Sequence, residues 1–334
     1  MGATTLSPRP ALAENITYYV DATNGSDGNG NDGLTADSAW ATLQHAWDRI
    51  ANGYDCNGYQ VFIQCADGTY EGFRSFKSYD DYTMVYPINL TRMTVLGNAD
   101  DNTAVIIGKE PLISNEIVSM YDSNPMHLDF KDVTFDLGNT STAGIDTVIE
   151  MAIKNCRVIN GSTAQFLAVQ RAYVNFATAL EIVGNVGTFM SAEDGARIDM
   201  GIPITVTGAT AWGTTFAHAY THGYIRMTGV TWAGTSPTGK TFVVDSGGII
   251  ASSDLIHGNV AGTADTGGIA SASIVIPPVI PTGTVAALPS AATAGAGARG
   301  FVTDASATTF HSTVAGSGAN KVPVVSDGTN WLIG

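Results

Sequence analysis

Basic residues are scarce in this chain: 15 Lys and Arg stand against 30 Asp and Glu in 334 residues, a formal net charge of −15. A surface of that sign repels a phosphate backbone, and no run of basic residues offsets it, so nucleic acid is not an expected partner. Charge of either sign is sparse, at 13% of residues, about half the usual share. That argues against long surface helices laced with ion pairs. Cys56, Cys65 and Cys156 make an odd cysteine count without C-x-x-C spacing, which excludes a disulfide framework or a zinc site of the usual kind. Cys65 and Cys156 lie in strand-like runs and read as small buried hydrophobes, as suits folding in a reducing cytosol. No apolar run reaches about 18 residues, so membrane insertion is not expected. The opening MGATTLSPRPALA lacks a basic region followed by an apolar block, so a secretory leader is not expected either. Nucleophilic triads, phosphate loops and redox motifs are missing. GSDGNG and GAGARG have no strand–helix context, and no cofactor is expected.

What is abundant is glycine, at 38 residues, with Thr, Ser, Ala and Asn filling the polar positions. This composition suits many short strands joined by tight turns. The acid is uneven. Residues 1–165 hold 9 Lys/Arg and 21 Asp/Glu, against 6 and 9 in residues 166–334. Five N-x-S/T sequences, at Asn15, Asn24, Asn89, Asn139 and Asn160, read as turn chemistry rather than glycosylation.

Three phenylalanines, at 189, 216 and 242, each open a segment of one shape. The segments are FMSAEDGARIDMGIPITVTG, FAHAYTHGYIRMTGVTWAG and FVVDSGGIIASSDLIHGNVAG, and a weaker copy starts at Phe166. Each runs apolar strand, glycine-centred turn, short apolar strand, Gly-terminated strand. A repeat of this size is one structural unit stacked on itself, and an all-β unit stacks into a coil of parallel strands.

Residues 1–17 read as an extended arm. Residues 18–37 give a strand and a Gly/Asn/Asp loop. Residues 38–52 read as an amphipathic helix started by Asp37 or Ser38, with Trp40, Leu43, Ala46, Trp47 and Ile50 on one face. Such a helix would cap the open first coil. Residues 18–275 form the coiled body. Residues 276–283, rich in proline, mark a boundary. Residues 284–334 form a small C-terminal β domain whose end, KVPVVSDGTNWLIG, reads as a hairpin around Asp327-Gly328. The small-residue run 286–300 reads either as a flexible linker or as a place where chains approach closely around a threefold axis.

Two segments carry a resemblance. Residues 18–48, YYVDATNGSDGNGNDGLTADSAWATLQHAWD, resemble the entry sequence of right-handed parallel β-helix proteins, both pectate-lyase-like secreted proteins and phage tail spikes. Residues 288–334, LPSAATAGAGARG to SDGTNWLIG, resemble a C-terminal module of phage tail fibres and spikes. The resemblance implies an all-β fold: a right-handed parallel β-helix with an N-terminal capping helix and a small C-terminal β domain, assembled as a homotrimer. It implies a structural virion protein, folded in the bacterial cytoplasm. Such a protein joins other tail or baseplate proteins through residues 1–17 and attaches to host cell-surface polysaccharide. Two alternatives stand beside it: a polysaccharide depolymerase (a glycoside hydrolase or lyase) on the same scaffold, and a head fibre or capsid-decoration protein.

Candidate chemistry is concentrated in the repeats. Superposing them brings Glu193, Asp194, His218, His222 and Asp245 to one corner of successive coils. There they form either a solvated turn, a sugar-binding groove, or the carboxylate pair that glycoside hydrolysis requires. Trp212 and Tyr220, near turns, are candidate sugar platforms. Arg197 and Arg226 hold matching places and are expected to pair with those acids. In LDFKDVTFD, Asp129, Lys131 and Asp132 fall together as a possible lyase-type site. In the entry loop Asp27, Asn29 and Asn31 place oxygen donors at alternate positions, like the start of a calcium loop, but position 38 offers Ser in place of a bidentate Glu. Removal of residues 284–334 is expected to leave monomers or aggregates by light scattering. A stable trimer without them would cancel their assigned role.

Overall fold

The structure, a computed structural model, describes residues 9–28, 30–75, 86–108, 116–120, 126–138, 143–147, 149–208, 211–228, 230–234, 238, 242–252, 263–264, 269–270 and 282–334. The chain divides into two compact units, Met1–Ala272 and Ser273–Gly334.

The first unit is a parallel β-solenoid. Its first face is a ten-stranded sheet, in order Ile16–Val20, Gln60–Cys65, Arg92–Leu96, His127–Lys131, Glu150–Lys154, Tyr173–Phe176, Arg197–Met200, Tyr224–Met227, Ile249–Ser252 and Ile269–Ala270. Every strand pairs parallel with the next. A second, thirteen-stranded sheet bends along its two long strands, Cys156–Gln170 and Leu180–Glu193, where the register shifts. It therefore supplies two more faces. The second face runs from Gly68–Glu71 to Thr231–Gly234, the third from Phe73–Arg74 to Thr263–Ala264.

Parallel register places like residues on like. On the first face Val61, Met93, Leu128, Met151, Val174, Ile198, Ile225 and Ile250 form one inward column. All eight are buried. Alternate residues face outward, so the inside is apolar although the chain's polar content is high. An aromatic stack rises through the core, from Phe130 on the first face and Phe135 on the second to Phe166, Phe189 and Phe216 beyond the bend into the third. Ring centroids lie 5.2 Å apart for Phe130–Phe135, 5.4 Å for Phe135–Phe166, 5.1 Å for Phe166–Phe189 and 5.0 Å for Phe189–Phe216. The last two rings are nearly parallel, at 8°. Phe166, Phe189 and Phe216 share one register position, as the repeats require. Phe242 does not. It pairs with Ala217, one residue on, and fills the column of Leu167 and Met190. The third copy is therefore offset by one from the superposition made on sequence.

The capping helix starts later than expected. The α-helix is Leu43–Gly53, with Thr42 accepting from the His45 N–H, and residues 36–38 are a separate 3-10 turn capped by Thr35. Asp27 explains the break: its carboxylate accepts from the N–H groups of Ala41 and Thr42 and from the Thr42 hydroxyl. That holds residues 41–42 extended. Trp40 thus leaves the helix and stacks on Tyr18, with centroids 4.9 Å apart. Leu43, Ala46, Trp47, Ile50 and Ala51 form the helix's buried stripe. Of the expected arm, Leu12 joins the core and its N–H donates to Asp55.

Corners are built by short polar residues in the left-handed region. Asn89, Asp132, Asn155 and Asn160 have φ of 53°, 60°, 50° and 58°, a conformation Asn and Asp tolerate best after Gly. Their side chains tie rungs together: Asn155 donates to Asp132 at 2.7 Å, Asn160 to Asp136 at 3.0 Å and Asn89 to Asp55 at 2.9 Å. Asn15 accepts from the Gln60 N–H and Asn24 donates to Asp21. Four sequon asparagines thus serve turns and ladders; Asn139 lies outside the described residues. Gly223 and Gly248 stack where a Cβ would meet the carbonyl oxygens of Ala192 and Ala219 at 1.9 and 2.2 Å, so any side chain there is excluded.

The second unit has a four-stranded sheet: Thr282–Gly283, Arg299–Ala305, Asn320–Ser326 and Trp331–Ile333. The last two form the expected hairpin, with Gly328 at φ 90°. The small-residue run folds onto this sheet as a one-turn helix, Ala291–Ala294, and Ser326 donates to the Ala291 carbonyl. The proline-rich residues 276–281 lie outside the described residues.

Phe189 touches the most aromatic neighbours in the stack, with centroids 5.0–6.4 Å from Phe166, Phe176, Trp212 and Phe216. Phe189→Ala is expected to cost about 3–5 kcal/mol in chemical denaturation. Phe216→Asp, which buries an unpaired carboxylate, should prevent soluble folding. Near-normal melting of either variant would contradict the core described here.

Candidate functional site

The corner between the third and first faces carries most of the predicted site. Successive rungs turn there at Arg171, Asp194-Gly195, Thr221-His222 and Ser246-Gly247, all with positive φ. Backbone bonds fix the stacking: the Tyr220 N–H donates to Ala192, and the Asp245 N–H to Ala219. Glu193, Tyr220 and Asp245 therefore follow one another on consecutive rungs. His218 stands on the adjacent outward column, between Ser191 and Val243.

The side chains close a chain of contacts. His218 Nε2 lies 3.0 Å from Asp245 Oδ2. The His218 and Tyr220 rings are 4.6 Å apart. Burial pushes the Tyr220 phenol well up, reinforced by its hydrogen bond to Glu193 and by the charges of Glu193, Asp146 and Asp194. The phenol therefore stays protonated and donates to Glu193. Carboxylates, a phenol, an imidazole and a ring face, all partly open to water, are the groups that recognise sugar hydroxyls.

The other predicted residues fall elsewhere. Asp194, at the corner tip, pairs with exposed Arg171 at 3.6 Å. His222 is exposed at the next tip with φ 66°. Trp212 is 4% exposed and packs on Phe189 and Phe216; it is a core residue and offers no face to a ligand. Arg197 and Arg226 do not match in register. Arg197 pairs with Tyr224 along the ladder and Arg226 with Asp199. Both guanidinium groups bind Asp199, at 2.8 and 3.0 Å, rather than the corner acids.

Asp129 and Asp132 also separate. Asp132 sits in a corner, 3.5 Å from Lys131. Asp129 lies on the outward side of the first face, yet only 1% of its side chain is exposed. Arg92 (3.6 Å), His127 (3.2 Å) and Lys154 cover it. A carboxylate so enclosed by cations is not free to bind calcium. In the entry loop, Asp27 is committed to Ala41 and Thr42, and the Asn31 side chain donates to the Ala39 carbonyl; Asn29 lies outside the described residues. The loop is a clasp for the helix entry. Among the described residues no group of three or more His, Cys, Asp or Glu is placed to hold a metal ion.

Sequence reasoning missed the outward columns of the first face, where Asp129 and Asp199 each collect cations from neighbouring rungs. The signal was present as alternating polar residues in HLDFK, EMAIK, RIDM and YIRM, but only register shows which of them meet.

No family model, curated protein or solved structure matches this chain.

Burial alone pushes the Asp129 carboxyl up, but hydrogen bonds from His127 and Lys154 and the charges of Lys154 and Arg92 hold it below the ordinary range. Its folded value is thus depressed, so its stabilisation is full above the ordinary aspartate value of about 3.9 and is lost as pH falls through the lower folded value. Asp129→Asn should cost about 1.5–3 kcal/mol at neutral pH, because its cationic partners are partly in water. The gap between wild type and variant should close below about pH 4. A gap constant from pH 7 to acid, in melts across that range, would show that the carboxylate is not the source.

Proposed function

We propose that the chain is a structural subunit of a phage tail fibre or spike and attaches to host-surface glycan. The observation that carries this reading is the corner. Glu193, Tyr220, His218 and Asp245 converge there on a stiff parallel ladder, from three consecutive rungs. The resemblance of residues 18–48 and 288–334 to spike and fibre segments supports it. In this reading residues 1–17 join the chain to tail or baseplate proteins. Residues 284–334 clasp three copies, and avidity multiplies a weak sugar contact. Virion assembly follows folding in the host cytoplasm.

One observation favours a second reading, a depolymerase. Glu193 and Asp245 are two rungs apart, on the order of 9–10 Å at the spacing of paired strands. That is close to the carboxylate separation of about 6.5–9.5 Å in inverting glycosidases. The third, a head fibre or decoration protein, is distinguished by antibody labelling of particles.

Purified protein should bind host capsule or lipopolysaccharide without releasing reducing sugar. Tyr220→Phe and His218→Ala should each weaken binding by roughly tenfold, the effect of one lost hydrogen bond to a partly buried partner. Sugar release that disappears in Glu193→Gln or Asp245→Asn would establish the enzyme instead.

A further inference from the structure

The first face differs in charge from the rest of the molecule. Its ten strands carry five cations, Arg92, Lys131, Lys154, Arg197 and Arg226, against three carboxylates, Asp129, Glu150 and Asp199. This sheet is net positive in a chain whose formal charge is −15. Most of the carboxylate is already enclosed: Asp129 and Asp199 are nearly inaccessible, whereas Arg197 and Arg226 are each about half exposed.

The last cationic group is the most ordered. Tyr173, Arg197 and Tyr224 follow one another in one outward column. The Arg197 guanidinium lies 5.6 Å from the Tyr173 ring centre and 5.5 Å from that of Tyr224. Asp199 accepts from Arg197 Nε and Nη2 at 3.0 and 2.8 Å and from the Tyr173 hydroxyl at 3.1 Å. Arg226 Nη2 reaches the same carboxylate at 3.0 Å. Two guanidinium groups thus share one carboxylate, leaving one positive charge. Their other N–H donors meet no acceptor among the described residues. Asp199 and the tyrosines remove the flexibility that usually makes arginine a costly ligand, and a planar fork held in place fits a carboxylate with two parallel hydrogen bonds.

We propose that Arg197 and Arg226 form a subsite for the carboxylate of an acidic sugar, so that the glycan bound by this rod is an acidic polysaccharide. The inference rests on the glycan-attachment reading and names its ligand class. A polymer with a carboxylate on some of its sugars suits a single surplus charge flanked by tyrosines. Duplex nucleic acid, with one charge per about 1.7 Å, is charged far more densely than such a polymer and would be repelled far more strongly by the rest of the chain.

The test is a glycan array holding uronate- and sialate-bearing oligosaccharides, each beside its carboxyl-reduced counterpart, probed with the full chain. Wild type should prefer acidic members by tenfold or more, about the worth of one charge-assisted pair. Arg226→Gln should erase that preference and leave binding of the reduced counterparts unchanged. Arg197 still pairs Asp199 in that variant; if it nevertheless fails to fold, Arg226→Lys, which keeps the charge and loses the fork, should reduce the preference by a smaller factor. His218→Ala should weaken acidic and reduced members alike and preserve their ratio. Binding only to neutral glycans would overturn this inference and spare the attachment reading. Binding to no glycan would overturn both. Preference unchanged in Arg226→Gln, or competition by duplex DNA at equal strength, would refute the carboxylate subsite.

Discussion

Register between parallel rungs is the constraint on which the rest of this structure depends. In a parallel ladder the hydrogen bonds slant and recur evenly, so each rung inherits the facing of the rung beneath it. A slip of one residue would turn an entire apolar column to water. The columns resist that slip through volume as well as polarity. Val, Met, Leu and Ile fill the inward column of the first face, all of them buried, and the phenylalanine stack ties the other faces to it. Removal of one ring takes a packing partner from its neighbours above and below, which is why a single aromatic matters to several rungs.

Register also decides where chemistry can occur. Inward columns are apolar, and corners adopt left-handed backbone, mostly at Gly and short polar residues. Ionisable groups are left with two places: outward columns and corner tips. Both hold one here. The Glu193–Tyr220–Asp245 series occupies a corner, while the Asp129 and Asp199 clusters occupy the outward side of a flat sheet. At about 4.8 Å between rungs, groups on adjacent strands meet directly and groups two rungs apart meet through the one between. Asp199 binds arginines from its own rung and the next, and Asp129 draws cations from the rungs on either side. Charge on this solenoid is therefore arranged by strand order as much as by proximity in sequence.

Much of this was legible in the sequence. The repeat, the solenoid, the helix at the entry and the terminal hairpin all follow from periodicity and turn chemistry. What failed did so for identifiable reasons. Rungs on the first face recur at intervals of 23, 24, 27 and 25 residues from Met151 to Ile250, so superposition on an aromatic drifts by one, as it did at Phe242. Asp27, fourteen residues before Ala41, determines where the helix starts, and helical periodicity alone carries no trace of so distant a contact. Trp212 lies near a turn in sequence, but the turn is one where the chain re-enters the core. Arg197 and Arg226 look equivalent when repeats are aligned by eye, yet they stand two positions apart, and their shared partner, Asp199, becomes visible only once rungs are in register.

The separation of the two polar patches has a mechanical consequence. Side chains of an outward column touch their own column and the next, and on each rung a left-handed turn, Asp194-Gly195 or Thr221-His222, turns the corner residues away from the flat face. A substitution at Arg226 perturbs Asp199 and Arg197; the ring contact of His218 with Tyr220 lies on one of the same rungs but on the third face, before the Thr221-His222 corner. The two patches can therefore change independently while the inward columns stay fixed. A scaffold of this kind leaves its outward positions free to vary, because the residues that fill the core and those that face solvent alternate along the same strand.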